Sequence, residues 1–94
     1  MSRPEPSSRP ALATQVARQI DPVTGGTVLL YPEGVVELSE TAAEIVNRCD
    51  GKTTIAEVVA QLAEEFDAPE DELLADVCET LAELSRRQLV VFVP

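Results

Sequence analysis

The chain has no histidine and no tryptophan, one tyrosine, two phenylalanines and only two cysteines among 94 residues. Without histidine it can build neither a Ser-His-Asp nor a Cys-His nucleophile, nor a His-ligated metal site. Catalysis would fall to carboxylates or thiols alone. Cys49 and Cys78 stand 29 positions apart with no CxxC partner, and a reactive thiolate needs a cationic or histidine neighbour to lower its pKa. Each cysteine recurs at the spacing of an apolar helical stripe, so both read as structural thiols. No apolar run is long enough for a signal peptide or a membrane span, and unpaired thiols suit a reducing compartment. A cytoplasmic protein that does not contact membranes is expected.

Cations are scarce as well. The formal net charge is −10, and between Asp21 and Glu83 sixteen acids face only Arg48 and Lys52. Nucleic-acid readers need the opposite field, because phosphate contacts supply most of their affinity. A partner, if charge selects it, is basic. The acids show no EF-hand spacing and the thiols have no companion ligands, so neither metal nor cofactor is expected. Paired acids such as Glu64-Glu65 and Glu70-Asp71-Glu72 are already accounted for by solubility and helix termini, which leaves no catalytic pair.

What is present is a short, single domain. Residues 1–10 hold Pro4, Pro6, Pro10 and three serines with almost no hydrophobes, and read as a flexible tail; residues 11–94 read as the folded unit. Residues 16–20 predict a first strand, the Asp21 to Gly26 cluster a turn, and residues 27–31 a second strand. Tyr31-Pro32-Glu33-Gly34 is a turn leading to a third strand at residues 35–38. Ser39 can cap a first helix, while Thr41 and Glu44 have capping-box spacing, which leaves its start open by two residues. Ala42, Ile45, Val46 and Cys49 form its stripe, and Asp50-Gly51 ends it. Thr54 and Glu57 form a capping box for a second helix, and Pro69 opens a third with acids at its start and Arg86 and Arg87 at its end. Residues 89–93 are a final β-like run. The pattern is an α+β, winged-helix-like domain: a three-stranded antiparallel sheet, three helices and a short terminal β run.

Two competing functions fit poorly. A phosphopantetheine carrier would place its serine at a helix start, as Ser39 is, but Ser39 lacks the Asp-Ser-Leu context and three strands do not belong in a four-helix bundle. A DNA-reading third helix would carry Glu70, Asp71, Glu72, Asp76, Glu79 and Glu83, which phosphates repel. Binding through backbone and apolar surface remains. An edge strand beside a helix makes a groove for an extended peptide. Val35, Val36, Glu37 and Leu38 are the candidate strand, and Leu74, Val77, Cys78 and Leu81 the candidate wall; by spacing alone the same residues suit an ordinary core.

The run Leu29-Leu30-Tyr31-Pro32-Glu33-Gly34, followed by Thr41-Ala42 and Cys49-Asp50-Gly51, resembles pyrroloquinoline quinone biosynthesis protein D, the PqqD family. The resemblance extends from about Arg9 to Leu89. It implies a non-catalytic chaperone that binds the ribosomal precursor peptide of pyrroloquinoline quinone and presents it to a radical S-adenosylmethionine enzyme. Related domains read leader peptides of other modified-peptide pathways, which is the alternative function. It also implies that the peptide adds a strand at residues 35–38 against the 74–81 helix face. Three positions depart from the family pattern: Ser39 stands where Asn is usual, Gln88 where Gly is common, and the first strand lacks a larger apolar residue after Arg18. A sheet edge open to a peptide predicts a monomer in dilute solution and a dimer only at high concentration.

Overall fold

The computed structural model describes residues 4–93. Eight elements follow one another: β1 (Arg9–Leu12), β2 (Ala17–Ile20), β3 (Thr27–Tyr31), β4 (Gly34–Glu37), α1 (Glu40–Val46), α2 (Ile55–Phe66), α3 (Glu70–Arg86) and β5 (Val90–Val93). The expected three-stranded antiparallel sheet is present in the order β2-β3-β4, with Leu29 opposite both Arg18 and Val36. The terminal run does not join it. β5 pairs with β1 in a separate two-stranded antiparallel sheet.

β1 is the element that composition concealed. The boundary drawn at residue 10 falls inside it, and the backbone before it holds defined partners. The carbonyls of Pro6 and Ser8 accept from the N–H groups of Ala56 and Ile55, each at 2.9 Å. These are two of the amides that the start of α2 leaves without an intrahelical partner, so the N-terminal segment caps that helix. Carbonyl capping is blind to side-chain type, which is why a Pro- and Ser-rich segment gave no sign of it. Met1 to Arg3 of the expected tail lie outside the described residues.

Local chemistry sets the helix ends. Ser39 Oγ accepts from Ala42 N–H at 3.1 Å, which makes Ser39, not Thr41, the cap of α1. Thr54 and Glu57 form the reciprocal capping box of α2. α1 stops at Val46, earlier than Asp50-Gly51 suggested. Asp50 instead accepts from the N–H groups of Lys52 and Thr53 at 2.9 and 2.7 Å and turns the chain toward α2. Gly51 is required there: its φ is +78°, and a Cβ would meet Val93 Cγ2 at 3.4 Å and Ala11 Cβ at 3.5 Å.

Leu29, Ile45, Ile55, Val58, Val77 and Leu81 are fully buried between the three-stranded sheet and the helices. Each such side chain contributes about 1.5–3 kcal/mol of transfer free energy. Arg48, in the turn just past α1, pairs with Glu44 at 2.8 Å and with Glu65 of α2, clamping the two helices from outside.

Candidate functional site

β4 is an edge strand, and its hydrogen-bond phase follows from one contact. Leu38 N–H donates to Thr27 C=O at 3.0 Å. Opposed residues in an antiparallel ladder alternate between bonded and non-bonded pairs. With Val28 opposite Glu37 and Leu29 opposite Val36, Val36 and Leu38 turn their amides toward β3. Val35 and Glu37 therefore direct both N–H and C=O to the free edge. The other edge, β2, has all four residues exposed, whereas β4 runs beside α3.

Between them lies an open groove of about 420 Å³. Val36, Glu37 and Leu38 form one side; Thr80, Leu84 and Arg87 stand on the other. Its rim is charged with both signs, Glu79 and Glu83 against Arg86 and Arg87. A hydrogen bond from Arg86 and its positive charge hold the Glu83 carboxyl below the usual carboxylate range. That arrangement offers a strand ladder, a short apolar contact and a mixed-charge rim.

The eight residues singled out in the sequence separate into different environments. Val35 is 59% exposed and points, with Glu37, to the outer face; Val36 is buried and Leu38 half-buried. On α3, Val77 and Leu81 are fully buried in the core, and Leu74 and Cys78 pack partly against it. None of these four lines the groove. The wall is the adjoining stripe Thr80, Leu84 and Arg87, one step round the helix and nearer its C-terminus. Periodicity marks α3 as apolar over a wide arc but does not say which neighbour each part of the arc meets. A signal was available: Leu84 and Arg87 stand three apart, with Thr80 four before Leu84, a helical stripe flanking the deepest one.

The thiols are shielded. Cys49 Sγ lies 3.2 Å from the Ile45 carbonyl, and burial first, then the neighbouring Asp50 charge, pushes its pKa up to about 12. Burial also raises that of Cys78. Among the described residues no three His, Cys, Asp or Glu side chains cluster as a metal site, and no helix is long and apolar enough to cross a membrane.

Residues 26–90 match the family Coenzyme PQQ synthesis protein D (PqqD). A PqqA binding protein of Xanthomonas oryzae pv. oryzae (strain KACC10331 / KXO85) is 42% identical over 83 residues, covering 88% of this chain and 90% of that protein. The solution NMR structure of the PqqD truncation of Methylobacterium extorquens PqqCD, described as a functional and stand-alone RiPP recognition element, superposes with a TM-score of 0.83. It is 27% identical and covers 94% of both chains. The crystal structure of PqqD from Xanthomonas campestris is 40% identical with a TM-score of 0.56, covering 84% of this chain and 89% of that one.

Proposed function

The chain belongs to the PqqD family, and from that premise we propose that it binds the precursor peptide of pyrroloquinoline quinone as an added strand on β4. The observation that carries this reading is the free edge of Val35 and Glu37 beside the α3 groove. Strand addition draws its affinity from main-chain hydrogen bonds and its selectivity from alternate side chains. Peptide residues opposite Val36 and Leu38 would turn their side chains toward Thr80 and Leu84, while those opposite Val35 and Glu37 would supply the ladder. The protein itself performs no chemistry on the peptide. It presents the peptide to a radical S-adenosylmethionine enzyme in the cytoplasm, where Cys49 and Cys78 stay reduced.

Glu37→Pro is the test. Proline deletes an outward N–H that β3 does not use, and edge strands tolerate it. The fold should survive, read by circular dichroism, while calorimetry shows precursor-peptide affinity falling by about tenfold or more, the equivalent of roughly 1.4 kcal/mol. A folded Glu37→Pro variant with wild-type affinity would contradict ladder formation at this edge.

A further inference from the structure

A larger cleft, about 750 Å³, opens on the far side of Leu38 between α1, α2, α3 and the β2–β3 turn. We propose that it docks a basic, apolar-anchored segment of the modifying enzyme, at a site separate from the peptide groove; this rests on the peptide-presenting reading above. Three observations carry it. The cleft holds an apolar patch, Leu38, Leu62 and Leu73, and Phe66 beside them is left 53% exposed. Its charged lining is carboxylate only: Glu40, Glu44 and Asp76. Of these Glu44 is paired with Arg48, which leaves Glu40 and Asp76 to face an incoming cation. Finally, the cleft shares only Leu38 with the peptide groove.

The occupant follows from these facts. A second copy would bring the same carboxylates and a further −10 of net charge, so like-charge contact disfavours self-association there. A segment with a large apolar side chain flanked by Lys or Arg matches both the apolar patch and the carboxylates. A protein that hands a bound peptide to an enzyme must hold both partners at once, so their sites cannot coincide. An enzyme seated in this cleft stands beside the Leu38 end of β4, where a paired peptide leaves the strand.

The test uses the full chain loaded with the precursor peptide, the purified radical enzyme as probe, and the exposed-site variants Phe66→Ser and Asp76→Lys. Each variant should bind the enzyme about tenfold or more weakly, with peptide affinity unchanged. The wild-type association rate should fall as salt rises, and Asp76→Lys should flatten that dependence. Wild-type enzyme affinity in both folded variants, with peptide still bound, would overturn the cleft assignment and leave the presenting reading intact. A lighter particle for Phe66→Ser by light scattering would also overturn it, by making a second copy the occupant. Failure of the wild type to bind the precursor peptide at all would overturn the presenting reading, and the cleft assignment with it.

Discussion

Gln88 shows how one residue records a compromise. It has φ +62°, just past α3, where Leu89 N–H donates to Leu84 C=O and Gln88 N–H to Ser85 C=O. That is a Schellman ending, whose left-handed position favours glycine. The family pattern's glycine near this point has its physical reason there. Gln88→Gly should therefore raise stability by about 0.5–1 kcal/mol, because relief of left-handed strain exceeds glycine's extra unfolded-state entropy; urea denaturation measures it, and a destabilised variant would show that the Gln88 side chain contributes more than its strain costs. Cys49 gives a second expectation at this scale. With its pKa near 12, the folded thiol should resist alkylation at pH 8 and react only on unfolding. Rapid labelling of native Cys49 would show that the α1 end opens readily.

At the scale of elements, the connection from α1 to α2 is held by carboxylates that accept from backbone N–H groups. Hydrogen bonds from the Thr53 and Lys52 N–H groups hold the Asp50 carboxyl below its ordinary range, and those from Thr54 do the same for Glu57. A carboxylate depressed in the folded state stabilises fully above its unfolded pKa, and that contribution is lost as pH falls through the folded value. Thermal stability should thus drop below about pH 4. The double variant Asp50→Asn, Glu57→Gln should show a shallower acid limb in melts from pH 6 to 2; an unchanged limb would place the acid sensitivity elsewhere. The Thr54 and Glu57 box was readable from the sequence because both act through side chains at fixed spacing, whereas Asp50 was readable only as a helix end and not as an acceptor for Lys52 and Thr53. The strands β2 to β4 and all three helices were readable for the same reason: turns, caps and periodicity are local. β1 was not, since its partner β5 lies about eighty residues away, nor was the segment before it, whose role at α2 uses the carbonyls of Pro6 and Ser8. The groove was half legible. Val35 to Leu38 could be located as a strand beside a helix, but the stripe of Thr80, Leu84 and Arg87 that meets it depends on how α3 is rolled against the sheet, a tertiary choice that its wide apolar arc leaves open.

Across the whole molecule, two features divide the work assigned to it. A mixed-charge groove lies between the β4 edge and α3, and a cleft whose charged lining is carboxylate only lies beyond Leu38. The high negative charge should keep the free chain monomeric at low micromolar concentration despite its open edge. Strand addition at that edge makes a residue-specific claim. Amide hydrogen exchange, followed residue by residue by NMR with and without saturating precursor peptide, reads it directly. Val35 and Glu37, whose N–H groups point outward in the free chain, should each gain about tenfold or more protection, while Val36, already bonded to β3, gains little beyond it. Saturated peptide binding with Val35 and Glu37 unprotected, or with new protection at Arg18 and Ile20 on the opposite edge, would contradict the account.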